Sequence, residues 1–360
     1  MIYVHVPFCK SFCTYCDFYS EICSAKDSAR VQKLYADALC AEIDRRRGEI
    51  RACDAVRTLY VGGGTPSLLD TESLRRIVEH LDGGPYDEFT VEVNPEDIVE
   101  RGAGYVSDLL SMGVSRVSMG VQSMDDGLLS WMNRRHDASG ARRAVSILRE
   151  AGVENLSLDL IFGISHMSSG QWIHTIDSVL ELSPEHVSAY QLSVEGGSAL
   201  AAMVAKGAYV EAGDDLCREQ YDILCRKLAD AGFAHYEVSN FALPGREAVH
   251  NSAYWTRVPY VGLGPGAHSF DGVSRSWNSQ QVCGYTSQSE MLTEQDAVLE
   301  TLLLSLRTSR GAERDFISAH CDGAAVSSLM DDGSLVTDGD RVRIPEDRWF
   351  VSDGIIRALV

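Results

Sequence analysis

Short runs of apolar, β-branched and aromatic residues recur along the chain at Ile2–Val6, Thr58–Val61, Phe89–Val93, Arg116–Met119, Leu156–Phe162 and Val187–Leu192, and each predicts a strand. Between them the apolar positions fall at helical spacing. Val31, Leu34, Tyr35, Ala38, Leu39 and Ile43 form one such stripe and Ala141, Ala144, Val145 and Leu148 another, with Gly48 and Gly152 soon after each. Strand-then-helix units repeated in series predict an α/β fold with a parallel sheet, either open and doubly wound or curled toward a barrel. Chemistry-bearing residues follow each strand in turn: Cys9, Cys13 and Cys16, then Gly62-Gly63-Gly64-Thr65-Pro66, Glu92 with Asn94-Pro95, Gln122, Asp159 and Gln191. In a parallel barrel the loops at the carboxyl ends of the strands converge on one face, so these motifs would share one cavity.

The pattern changes toward the end of the chain. Val298, Leu299, Leu302, Leu303 and Leu306 predict a helix, and Leu335–Ile344 a hairpin turning at Asp338-Gly339. Helices followed by a hairpin resemble a small winged-helix-like domain. Three regions are expected: a barrel over 1–200, a barrel extension over 201–290 and a helical, winged-helix-like domain over 291–360.

Charge removes some roles. The 32 basic and 52 acidic residues give a formal net charge of −20, which repels phosphate backbones and excludes nucleic acid as an expected partner. Residues 296–360, with seven Arg and no Lys against twelve Asp or Glu, read as a packing or partner module rather than a DNA reader. Met1–His5 lacks the basic and apolar regions of a signal peptide, and no run of about 18 apolar residues follows, so a cytoplasmic protein that does not span a membrane is expected.

Ten cysteines in such a chain read as thiols and metal ligands rather than a disulfide framework. Cys9, Cys13 and Cys16 form a C-x3-C-x2-C run from which three thiolates can reach one metal centre. Zinc and iron-sulfur clusters both suit thiolates. A structural zinc requires a fourth ligand, for which Cys23 or His5 would have to serve; three ligands to a four-iron cluster leave one iron open.

The residues around these cysteines, Tyr3-Val4-His5-Val6-Pro7-Phe8-Cys9 and Cys13-Thr14-Tyr15-Cys16-Asp17-Phe18, resemble the start of radical S-adenosylmethionine proteins related to oxygen-independent coproporphyrinogen dehydrogenase. The resemblance continues through the glycine motif at 62–66, Val91-Glu92-Val93-Asn94-Pro95-Glu96, Gly120-Val121-Gln122-Ser123, Asn133-Arg134 and Leu158-Asp159-Leu160-Ile161. It implies a partial (β/α)6 barrel, a [4Fe-4S] cluster on Cys9, Cys13 and Cys16, and S-adenosylmethionine on the open iron. The implied cofactor contacts are Tyr3, Tyr15, Gly63, Gly64, Thr65, Glu92, Gln122, Arg134 and Asp159, the glycines letting backbone groups approach the methionine moiety.

Two departures from the dehydrogenase resemble the superfamily's haem chaperone branch instead. Phe18 stands where the dehydrogenase has a further cysteine, and the first strand begins almost at Met1, without that enzyme's N-terminal extension. His250-Asn251-Ser252-Ala253-Tyr254-Trp255 matches the branch's H-N-x-x-Y-W motif and precedes a glycine-rich stretch over 261–268. The branch implies haem as ligand and a haem-acceptor protein as partner, such as a respiratory membrane enzyme. His250 is the implied haem ligand, an imidazole suiting haem iron and aromatic neighbours a flat macrocycle; a buried, backbone-bonded histidine is the plain alternative. A radical oxidoreductase acting on coproporphyrinogen III or another substrate, and a zinc-stabilised binding protein, are the competing functional readings.

Overall fold

The computed structural model describes residues 1–22 and 27–360. Six strands follow one another across a single sheet, every adjacent pair parallel: β1 (Ile2–Val6), β2 (Thr58–Gly63), β3 (Glu88–Val93), β4 (Arg116–Gln122), β5 (Leu156–Phe162) and β6 (His186–Gln191). The crossovers carry α1 (Ser28–Ala52), α2 (Thr71–Leu81), α3 (Pro95–Ser111), α4 (Asp126–Trp131), α5 (Ala138–Glu150) and α6 (Ser169–Leu180). Spatial order equals sequence order throughout this run. A doubly wound sheet reverses its order at a switch point, whereas a barrel wall does not, so the barrel alternative holds.

Beyond β6 the chain adds α7 (Ala199–Ala205), α8 (Asp214–Asp230), β7 (Ala234–Glu237), β8 (Asn240–Ala242), α9 (Val249–Trp255) and β9 (Val261–Leu263). The sheet order is β9-β1-β2-β3-β4-β5-β6-β8-β7. One edge is thus extended by β9, parallel to β1, and the other by the antiparallel β8 and β7. The wall stays open. These edge strands are three or four residues long, too short for a period-two pattern to mark them in the sequence.

Two expected strands run further toward their carboxyl ends than their apolar runs: β2 includes Gly62-Gly63 and β4 includes Gly120-Val121-Gln122. Glycine has little intrinsic strand preference, but the ladder to β1, with His5 opposite Gly62 and Val6 opposite Gly63, holds that segment extended. Side chains alternate along the wall. Leu59 and Val61, Phe89 and Val91, Val117 and Met119, and Leu156 and Leu158 are at most 1% exposed and join the core beneath the helices, while Tyr60, Glu92, Ser118 and Asp159 point into the barrel and line its cavity.

A second cluster, including Leu302, Leu306, Ile317, Leu335, Val342, Ile344 and Trp349, gathers α10 (Glu294–Ser305), α11 (Arg314–His320), α12 (Gly323–Asp331) and a three-stranded antiparallel sheet. The tail hairpin pairs Val336–Asp338 with Arg341–Arg343, so its two-residue turn is Gly339-Asp340, one position beyond Asp338-Gly339. Gly339 takes φ +60°, as the first central residue of a mirror-image hairpin turn requires.

The β9 edge depends on one close approach. A Cβ on Gly262 would meet the His268 carbonyl oxygen at 1.9 Å, so Gly262→Ala should force the His268 backbone away from β9 and lower the melting temperature. Gly48 lies inside α1, and a Cβ added there would have nothing within 4 Å; Gly48→Ala should stabilise by about 0.5–1 kcal/mol. Thermal unfolding of the two variants checks both signs.

Candidate functional site

The cavity at the carboxyl ends of the strands has a volume of about 660 Å³. Its mouth is formed by the loop after β1, which is pinned by residues 131–133 and by Leu200. Thr14 donates its backbone N–H to the Met132 carbonyl at 3.0 Å and its hydroxyl to the Trp131 carbonyl at 2.9 Å. Asn133 Nδ2 donates to the Phe12 carbonyl at 2.7 Å, and the Leu200 N–H to the Thr14 carbonyl at 2.8 Å. Held this way, Cys9, Cys13 and Cys16 all face the cavity as free, partly buried thiols.

Burial, with the neighbouring thiols adding to it, raises the Cys9 thiol and pushes Cys16 up to about 11. A bound cationic metal centre reverses that sign by stabilising thiolate. Among the described residues no three His, Cys, Asp or Glu side chains lie close enough to ligate one ion. All three thiols face one cavity, and in an iron-sulfur cluster each ligand binds a different iron. Cys23 lies outside the described residues; His5 is not available as a fourth ligand, since its ring nitrogens contact the Tyr3 hydroxyl at 3.0 Å and the Tyr19 carbonyl at 2.9 Å.

Arg134 ties this loop to the wall. Its Nη1 donates to Cys13 Sγ at 3.4 Å, and its Nη2 to Asn94 Oδ1 at 2.6 Å and to the Gly120 carbonyl at 2.7 Å. Burial works against this cation, but Tyr15, Cys13 and Glu96 outweigh it and hold the guanidinium firmly charged. Gln122 enters the cavity from a β4 position with φ +68°, where the ladder to β5 slips by one residue. A left-handed non-glycine residue at a bulge re-aims its side chain at a local cost in strain.

Two carboxylates form the floor. Glu92 accepts from the Tyr60 hydroxyl at 2.6 Å and from the Gly63 N–H at 3.1 Å; burial pushes it up to about 7, against the pull of those hydrogen bonds. Asp159 accepts from Ser118 at 3.2 Å to each oxygen and from Ser157 at 3.3 Å. It too is raised by burial, with Arg116 and the serines opposing.

The glycines have a structural task within the fold. The Gly63 N–H is bound by Glu92, the Gly64 N–H donates to the Val6 carbonyl at 2.8 Å, and a Cβ on Gly64 would meet the Phe8 carbonyl oxygen at 2.9 Å. Their missing side chains let β2 close against β1 and the start of the cysteine loop, while both residues still line the cavity.

Of the expected site residues, Cys9, Cys13, Cys16, Tyr15, Gly63, Gly64, Thr65, Glu92, Gln122, Arg134 and Asp159 come together on this cavity; Tyr3 and His250 do not. Tyr3 turns its hydroxyl to His5. His250 is 1% exposed, with Nδ1 at 2.8 Å from the Thr58 hydroxyl and Nε2 at 3.0 Å from the Tyr254 hydroxyl. Burial holds its imidazole down to about 3. Both ring nitrogens are engaged by side-chain hydroxyls inside the protein and not by backbone, so in this structure His250 sits off the cavity as a buried, hydrogen-bonded histidine, and its neighbour Asn251 lines the cavity. Tyr60, Ser118, Ser188 and Tyr190 also face the cavity and carry no motif; their signal is the alternation along β2, β4 and β6.

Residues 3–179 match the Radical SAM superfamily. The chain is 33% identical over 373 residues to "Heme chaperone HemW" of Mycobacterium tuberculosis, covering 100% of this chain and 94% of that protein. With "Heme chaperone HemW" of Bacillus subtilis it shares 32% over 327 residues, 87% of this chain and 84% of that one. Coproporphyrinogen III oxidase (HemN) from Escherichia coli, a radical SAM enzyme, superposes with a TM-score of 0.79 at 20% identity, covering 99% of this chain and 89% of that chain, so the two share a fold. Similarity of this extent to HemW proteins, on a cavity that gathers the three thiols and the superfamily's motifs, makes the chain a member of the HemW heme chaperone family of radical SAM proteins.

Proposed function

We propose that this protein binds haem and passes it to an acceptor protein, and that it carries a [4Fe-4S] cluster on Cys9, Cys13 and Cys16 with S-adenosylmethionine beside it. The observation that carries this reading is the similarity along the whole chain to heme chaperones. Phe18 supports it: the side chain is 70% exposed on the cavity rim, at the position where the dehydrogenase relatives have a cysteine.

Each part of the cavity has a task under this reading. The cysteines hold the cluster. Arg134, touching Cys13 and Asn94, balances thiolate charge and fixes the loop against the wall. Glu92, Asp159 and Gln122 offer acceptors and an amide to the cofactor's polar groups, and Tyr15 closes the side near the thiols. When bound, the cluster and S-adenosylmethionine supply one-electron reduction of the sulfonium.

We assign residues 1–200 to the cofactor barrel, 201–290 to its extension and 291–360 to a winged-helix-like module that packs on the barrel or meets the acceptor. No described helix is long and apolar enough to cross a membrane. A respiratory membrane enzyme fits as an acceptor, approached from the cytoplasm.

Anaerobic reconstitution should load about four irons and an equal amount of sulfide per chain, and a Cys9, Cys13 and Cys16 triple alanine variant should lose nearly all of both. Haem titration of the reconstituted protein should saturate at a fixed stoichiometry, with little conversion of coproporphyrinogen III. Conversion at rates comparable to a true dehydrogenase would overturn the chaperone assignment in favour of the oxidoreductase.

His250→Ala should leave the haem absorption band in place while lowering stability by about 1–3 kcal/mol, because it strips partners from the Thr58 and Tyr254 hydroxyls. Loss of haem uptake at unchanged stability would restore His250 as the ligand.

A further inference from the structure

Arg116 is the largest charged side chain sealed inside the barrel, 1% exposed. It stands on β4 opposite Thr90 of β3. Two residues further along the same face, Ser118 lies opposite Glu92 and donates to both oxygens of Asp159. The guanidinium therefore sits one side-chain layer beneath the cavity floor, on the strand between the two that carry Glu92 and Asp159. Its Nη2 contacts His186 Nδ1 at 3.3 Å, while Nε and Nη1 have no hydrogen-bond partner among the described residues.

A buried guanidinium without a direct carboxylate partner is costly, and its field is weakly screened. The titratable groups that feel that field are Glu92 on β3, Asp159 on β5, Tyr60 on β2, His186 on β6, Tyr236 on β7 and His250 on α9. Burial holds both histidines neutral, so Arg116 alone among these groups is cationic. Both carboxylates face the opposite problem, since burial favours their protonation and Asp159 adds its repulsion at Glu92.

We propose that Arg116 is a positioning residue, whose charge, delivered from beneath the floor without contact, favours the anionic form of Glu92 and Asp159 and with it their capacity to accept hydrogen bonds from a cationic sulfonium cofactor. This rests on the reading of the cavity as the S-adenosylmethionine site. A direct ion pair would consume the acceptor positions of the carboxylates; a cation one layer lower leaves them free on the cavity side.

The test compares wild type with Arg116→Met, of similar length without charge, and Arg116→Lys, which keeps the cation. In the cofactor-free protein, infrared carboxylate bands assigned with Glu92→Gln and Asp159→Asn are followed from about pH 5 to 9. The Glu92 band should titrate near 7 in wild type, move upward by about one pH unit or more in the Met variant, and return toward wild type in the Lys variant. In the reconstituted protein the Met variant should bind S-adenosylmethionine at least about fivefold more weakly at neutral pH, because a rise of about one unit takes the ionised fraction of Glu92 from about a half to about a tenth, and recover as the pH rises. Should the Met variant not fold, Arg116→Gln, which keeps a donor for His186 and lacks the charge, replaces it with the same expectations. A folded neutral variant with wild-type carboxylate titration overturns the proposal. Failure of wild type to bind S-adenosylmethionine would overturn the cofactor reading instead and leave the infrared result to judge Arg116 by itself.

Discussion

Each strand of the barrel wall must satisfy two surroundings at once, and the period of two along a strand is what permits it. Outward positions such as Leu59, Val91, Val117 and Leu158 meet the helices and supply the burial that holds the sheet together. Inward positions are thereby released from the core. In a filled barrel branched apolar residues occupy that interior, whereas here Tyr60, Glu92, Ser118, Asp159 and Ser188 line a cavity. Binding groups on rigid strands, and not only on loops, follow directly.

Polar lining has a cost that shapes the rest of the site. Every inward hydroxyl, carboxylate or guanidinium needs a partner or a compensating charge, and the wall answers with chains of contacts across strands. Tyr60 binds Glu92, Glu92 binds the Gly63 N–H, Ser118 spans to Asp159, and His186 joins Ser157 to Tyr236. The same network fixes the geometry of the floor. Near the mouth Arg134 takes over, linking Cys13 to Asn94 and Gly120 and so tying the cysteine loop to the wall.

Much of this was legible in the sequence because it depends on local pattern. All six parallel strands left apolar runs, and the motifs after them fall on one cavity because parallel strands end on the same side. What escaped depends on direction. Sequence adjacency in His250-Asn251 says nothing about which residue faces the cavity; on α9 successive side chains point about 100° apart, so Asn251 reaches the cavity while His250 turns to Thr58. Tyr3 similarly shares a strand with the cysteine loop but bonds His5. The strands β7 to β9 escaped for another reason: each is defined by the neighbour it pairs with, and its own three or four residues carry too little pattern.

The charge balance of the site is separate from that of the surface. The chain carries 20 more acidic than basic residues, yet two of its arginines, Arg116 and Arg134, are committed to the barrel, one under the carboxylates and one beside the thiols. Surface charge is screened within about 8–10 Å in physiological salt, whereas buried charge is screened much less. The acidic exterior therefore has little hold on the cavity, and the local sign of the field is set by these two side chains together with Glu92, Asp159 and the cysteines. One cation touches Cys13 at the mouth and another lies one side-chain layer beneath Glu92 and Asp159, so a strongly acidic chain sets positive charge against both sets of acidic groups in one confined volume.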